Sequence, residues 1–264
     1  CADVSTSTTV TVTAVPTAGT IAGTTAICAN GSSTLTSSVT GGSWSSATPA
    51  VASINASSGA VTGVSAGTAV MTYTVTGTGG CANVSTTATV TVTPVPTAGT
   101  LTGTTAICAN GSSTLTSTVT GGAWSSATPG VATINASTGA VSALAAGTAV
   151  MTYTVSGTGG CADVSTTASV TVTALPTVPT ASATQPTCAT PTGSISINSI
   201  AGVQYAINGS AYQNSNQFLN LQAGSYAISV RSNANNACVA TGSTIVINAA
   251  LGAPTLPVAS ITVQ

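Results

Sequence analysis

The sequence repeats itself: residues 1–80 and 81–160 align without a gap, and 64 of the 80 paired positions are identical. A third copy begins at Cys161 and gives way near Thr177 to a different sequence. Self-similarity at a fixed period makes the repeat the folding unit, because each copy has to bury its own apolar face and meet its neighbours in the same way. The chain therefore reads as an array of small domains, a spacer or fibre, and not as one large globule around a single active site.

Charge narrows the function further. The chain holds one basic residue, Arg231, and two acids, Asp3 and Asp163, with no Lys, Glu or His. General acid-base and nucleophilic catalysis need a titratable partner near neutral pH, so the many Ser and Thr hydroxyls have no base to activate them, and no catalytic residue is assigned. Nucleic-acid binding relies on clustered Lys and Arg, which are absent. Asp3 and Asp163 occupy equivalent positions two repeats apart, which argues against a calcium site, and no metal or cofactor residue is assigned. Without Lys, lysine-asparagine isopeptide bonds cannot form, which leaves disulfides as the covalent staple.

The apolar residues alternate with Thr and Ser and form no run long enough for a membrane helix. Aromatic residues make up only 3% of the chain, too few for the girdles of a membrane barrel. In the segment 67–76, Ala69, Met71, Tyr73 and Val75 share one face and Thr68, Thr72, Thr74 and Thr76 the other. In 81–95, Val84, Ala88, Val90 and Val92 oppose Asn83, Ser85, Thr87, Thr89, Thr91 and Thr93. Both read as half-buried strands, with Thr on the outer face because its β-branch favours extended backbone and its hydroxyl stays wettable. Shorter strands are expected at 33–39, 42–46, 51–55 and 60–64, each bounded by turn residues. About seven short strands in 80 residues predict an all-β fold of antiparallel β-sandwiches arranged end to end.

The run from Trp44 to Val75, WSSATPAVASINASSGAVTGVSAGTAVMTYTV, resembles the bacterial immunoglobulin-like group 2 domain, and Trp124 to Val155 matches equally well. The resemblance implies tandem Ig-like sandwiches in a surface or adhesive protein, over 16–95 and 96–175. Residues 1–15 then read as the last strand of a preceding repeat. The segment 176–250 alternates too, with Ile195 and Ile197 on one face and Tyr226, Ile228 and Val230 on another, and is expected to be a third, unlike β-sandwich module. Its QPTC and YAINGSAYQ runs resemble short modules of giant secreted and gliding-motility adhesins of Bacteroidota. Residues 251–264 read as a linker and the first strand of a following module, so the polypeptide is expected to continue in both directions; the other reading is that its end strands complete neighbouring subunits.

The chain has seven cysteines. Cys28 to Cys81 and Cys108 to Cys161 each span 53 positions and Cys188 to Cys238 spans 50, which suggests three disulfides within domains. Cys1 is left over and is expected to pair upstream. The alternative links Cys81 to Cys108 and Cys161 to Cys188 across the junctions. Either pattern points to an oxidising, extracellular or cell-surface location.

Four aromatics are candidate carbohydrate contacts: Trp44, Trp124, Tyr205 and Tyr212. The competing reading puts the tryptophans in sandwich cores and Tyr205 and Tyr212 beside an Asn208-Gly209 turn. The Thr arrays read as an uncharged solvent face, and N-x-S sequons such as those at Asn30, Asn55 and Asn208 are weak signals in so Ser-rich a chain. A net charge of −1 leaves little repulsion between parallel molecules, so partners are expected to be neighbouring repeats or copies of the chain itself, with surface glycans as the other candidate. With strands of about nine residues at roughly 3.3 Å each, every sandwich should extend roughly 30 to 40 Å.

Overall fold

The computed structural model describes residues 1–250; the expected first strand of a following module, at 251–264, lies outside the described residues. The described chain is all β, with no helix. The first repeat forms β1 (Ile21–Gly23), β2 (Ala26–Cys28), β3 (Ser32–Ser37), β4 (Ser43–Ser46), β5 (Ala52–Ile54), β6 (Ala60–Gly63), β7 (Gly67–Val75) and β8 (Val84–Thr93). The second reproduces them as β9 (Leu101–Gly103), β10 (Ala106–Cys108), β11 (Ser112–Ser117), β12 (Ala123–Ser126), β13 (Ala132–Ile134), β14 (Ala140–Ala143), β15 (Gly147–Val155) and β16 (Val164–Thr173). The unlike segment forms β17 (Ala181–Thr184), β18 (Gly193–Ile197), β19 (Val203–Ile207), β20 (Gln217–Leu221), β21 (Gly224–Ser232) and β22 (Val239–Ile247).

Each repeat builds two four-stranded sheets, β1-β3-β6-β5 and β2-β8-β7-β4 in the first, and β13-β14-β11-β9 and β10-β16-β15-β12 in the second. The unlike segment builds two three-stranded sheets, β17-β18-β20 and β19-β21-β22. By their contacts the described residues gather into two compact units: Cys1–Gly99 with 119–122 and 154–165, and the remainder. The loop between β15 and β16 thus groups with the first repeat.

The expected alternation is present. Along β7, Ala69, Met71 and Tyr73 are buried; along β8, Val90 and Val92 are buried between exposed Thr89 and Thr91. These join Ile27, Leu35, Trp44, Ala52 and Val61 in one core, with the inner faces of both sheets contributing. The third core gathers Ile195, Ile197, Val203, Tyr205, Ile207, Ile228, Val230 and Ile247.

One feature departs from a purely antiparallel sandwich. The chain leaves the first sheet after β1, crosses at Thr24-Thr25 and joins the second sheet as β2, parallel to β8, with Cys28 opposite Thr93. The second repeat does the same, with Cys108 opposite Thr173. Three residues are too few to show a period in sequence, so β1 and β2 went unread there.

The two faces of β8 should respond oppositely to one chemical change. Val90→Thr puts a hydroxyl into a fully buried site and is expected to lower stability by about 1–3 kcal/mol, whereas Thr89→Val on the exposed face should stay within about 0.5 kcal/mol. Urea unfolding of the two variants measures both; equal effects would refute the assignment of faces.

Candidate functional site: the disulfide staples

The cysteines do not pair as their spacing suggested. Cys28 bonds to Cys161 and Cys108 to Cys238, across 133 and 130 positions, with Cα–Cα distances of 4.8 and 5.5 Å. The expected Cys28–Cys81, Cys108–Cys161 and Cys188–Cys238 pairs are not formed, and neither are the alternative junction pairs; Cys81 and Cys1 are free thiols.

The sheet explains the correction. Cys28 ends β2 opposite Thr93, where β8 finishes. Cys81 lies in the loop between β7 and β8, beyond the pair Val75–Val84 at the other end of the same strand. The 10 residues of β8 separate those ends by about 30 Å, while a disulfide needs Cα atoms roughly 4.4–6.8 Å apart. No bond within the repeat can close. Cys28 instead meets Cys161, which occupies the equivalent loop one repeat later, between β15 and β16. Cys238 fills the same role from the loop between β21 and β22, where it is fully buried.

A small clasp holds the first staple. The Thr93 hydroxyl lies 3.1 Å from the Ile27 carbonyl, 3.3 Å from that of Thr158 and 3.2 Å from that of Gly159, so it bridges β2 and the incoming loop. The loop turns tightly, the Cys161 N–H donating to the Thr158 carbonyl, with Gly159 and Gly160 at φ 59° and 84°. A Cβ at Gly159 would collide with Thr93 Oγ1, so glycine is required by both backbone and space. Thr93 and Gly159 were missed as functional residues in sequence, although both stand unchanged as Thr13 and Gly79 in the other copy.

Three of the four candidate carbohydrate contacts are core residues. Trp44 packs against Tyr73 with ring centroids 4.8 Å apart and planes tilted by 48°, and Trp124 repeats this with Tyr153 at 4.8 Å and 49°. The Tyr73 hydroxyl donates to the Val39 carbonyl and accepts from the Gly42 N–H, which ties the edge loop to the core. Tyr205 is buried, its hydroxyl donating to the Ile200 carbonyl and accepting from the Ile200 N–H. Only Tyr212 sits at the surface, half-buried, with the Arg231 guanidinium 4.4 Å from its ring centroid and held on Gln204 Oε1. The Asn208-Gly209 turn is as expected, with both residues at positive φ, 47° and 69°.

The three charged residues supply a direct test of the pairing. Cleavage before Asp163 and after Arg231 of the denatured, unreduced chain should free the peptide 163–231 and leave 3–162 joined to 232–264 through Cys108–Cys238. If 163–231 instead stays bound to 232–264, the staple assignment is wrong. Trp44→Ala should separately cost about 3–5 kcal/mol in thermal or urea unfolding, and Tyr212→Ala, at the surface, should cost clearly less.

No family model matches the chain, and no curated protein sequence matches it. Among solved structures, it is similar to domains 1–6 of the surface layer protein SbsC at 16% identity and a TM-score of 0.24, covering 82% of this chain and 34% of that one. It is also similar to murine CEACAM1b at 13% and 0.32, covering 58% of this chain and 100% of that one. A third is BT4661, a SusE-like surface-located polysaccharide-binding protein of Bacteroides thetaiotaomicron, at 11% and 0.25, covering 82% and 58%. The chain spans about a third of the surface-layer structure it matches.

Proposed function

We propose that this chain is a structural repeat region of an extracellular bacterial adhesin or filament, a disulfide-stapled spacer that works mechanically and carries no catalytic activity. The observation that supports this reading best is the overlap of the two disulfide loops. Because Cys108 lies inside the Cys28–Cys161 loop and Cys161 inside the Cys108–Cys238 loop, three covalent routes that use a disulfide cross the region from Cys28 to Cys238. One follows the chain to Cys108 and jumps to Cys238; another jumps from Cys28 to Cys161 and then follows the chain; the shortest jumps from Cys28 to Cys161, runs back to Cys108 and jumps to Cys238. A single backbone cut anywhere between leaves the molecule in one piece.

Such a mesh suits a tether. Disulfides persist in oxidising compartments, which supports an extracellular or cell-surface location. The absence of His, Lys and Glu from the sequence supports a non-catalytic role, and the near absence of positive charge argues against nucleic acid. A net charge of −1 permits association of neighbouring repeats or of whole copies. The carbohydrate-binding alternative keeps only Tyr212 of its four candidate contacts.

Pulling single molecules tests the tether. With the disulfides intact, the stretch from Cys28 to Cys238 should extend only to the length of the chain between Cys108 and Cys161, about 53 residues or roughly 190 Å, however hard it is pulled. Added reductant should release about 157 residues more, roughly 550 Å. Equal contour lengths with and without reductant would sink the proposal. Binding of a glycan that is lost in Tyr212→Ala while the fold persists would favour the carbohydrate reading instead.

A further inference from the structure

The loop that carries Cys81 has the shape of a staple acceptor with no donor in place. Gly79 and Gly80 have φ 59° and 88°, against 59° and 84° at Gly159 and Gly160. A Cβ at Gly79 would collide with Thr13 Oγ1, as one at Gly159 would with Thr93 Oγ1. Thr13 therefore lies against this loop as Thr93, at the end of β8, lies against the loop of Cys161. The difference is on the other side. Gly160 lies beside Ala26, Ile27 and Cys28 of β2, whereas nothing stands within 4 Å of a Cβ built at Gly80.

Residues 1–15 are a closing strand without a sheet. They match Cys81–Val95 in sequence, yet no strand partner holds them. Val10 and Val12 are 82% and 90% exposed, while their equivalents Val90 and Val92 are 0% and 2%. An apolar stripe of this kind in one copy, fully buried in the other, is built to be covered. No module among the described residues has a vacant place for it, because β8, β16 and β22 already occupy the sheets β2-β8-β7-β4, β10-β16-β15-β12 and β19-β21-β22.

We propose that Cys1–Val15 closes a further Ig-like module of the same repeat sequence that precedes Cys1 in the same polypeptide, and that Cys81 receives the disulfide from that module's counterpart of Cys28. The proposal rests on the reading of the chain as a tandem array. The incoming short strand would pair parallel to residues 11–13, as β2 pairs with Thr91–Thr93, and bring its cysteine to the empty side of Gly80. The two thiols lose two protons and two electrons to form one S–S bond. An external disulfide such as oxidised glutathione accepts both and leaves as two thiols.

The test extends the full chain by a copy of Pro16–Gly80 placed directly before Cys1, oxidised with glutathione. Peptide mapping should then find the added cysteine joined to Cys81, and alkylation of Cys81 should fall at least tenfold relative to the unextended chain. Val12→Asp in the extended chain should restore that alkylation. To separate docking from bonding, the added cysteine is replaced by Ser: amide exchange at residues 9–13 should still slow at least tenfold, since burial does not require the bond. Cys81 that remains alkylatable while Cys28–Cys161 forms overturns the staple, and unslowed exchange overturns the closing strand. A disulfide-linked dimer of the unextended chain through Cys81 would assign the partner to a second copy and overturn the same-chain assignment. None of these outcomes touches the extension measured between Cys28 and Cys238, so this inference and the tether reading fail separately.

Discussion

The constraint on which the rest depends is the mismatch between the length of a strand and the reach of a disulfide. A 10-residue strand runs about 30 Å, and the two sulfurs of a bond can hold α-carbons less than about 7 Å apart. By placing one cysteine beside the end of β8 and the other just before its start, the repeat forbids itself an internal bond. Each staple has to be made with the next segment along the chain. The observed separations of 133 and 130 are each one repeat longer than the spacing within a module. In the loop-entropy description a closure of that size stabilises by about 5 kcal/mol, somewhat less for the second because the loops overlap.

This geometry also separates what was legible in sequence from what was not. The long strands were readable because β7 and β8 each give several cycles of period-two alternation, and their buried faces are the ones expected. The Asn208-Gly209 turn was readable because few residue pairs tolerate two successive positive φ angles. Sandwich cores around Trp44 and Trp124 followed from one tryptophan per repeat with a tyrosine on the partner strand. The cysteine pairing was not readable. Spacing fixes the length of a loop but not which end of a strand a residue occupies, and that end was set by β2, whose three residues carry no period and whose parallel pairing only the fold reveals. Tyr205 misled for a related reason: an aromatic near a turn looks accessible until its hydroxyl is found on Ile200 inside the core.

A chain with three charged side chains also lacks the usual means of fixing one segment on another. It has no material for ion-pair networks or for calcium bridged between domains. What remains is apolar burial, hydroxyl-to-carbonyl hydrogen bonds and covalent bonds, and the clasp around Cys161 uses all three. Ile27 is buried beside it, Thr93 reaches carbonyls on both sides, and the sulfur bond closes over them. Thr serves here for the same reason that it serves on the outer faces of the sheets: it is extended-favouring, small and polar without charge.

A staple of this design imposes a rule on the repeat. Every interior module has to carry a donor cysteine at the end of its short parallel strand and an acceptor cysteine in its long hairpin, on opposite ends of one sheet, and both sites have to be kept in every copy. The two copies differ at exposed positions such as Ser43 and Ala123 or Ala50 and Gly130, and are identical at Thr13 and Thr93, at Gly79-Gly80 and Gly159-Gly160, and at the cysteines. Drift is thus tolerated where solvent meets the sheet and, in the interior, as the one-carbon change from Gly63 to Ala143, while the clasp, whose parts are contributed by segments one repeat apart, can change only if both parts change together. In such an array a free acceptor thiol marks the place where a neighbour is missing, and Cys81, with its loop formed and its donor side empty, fits that description.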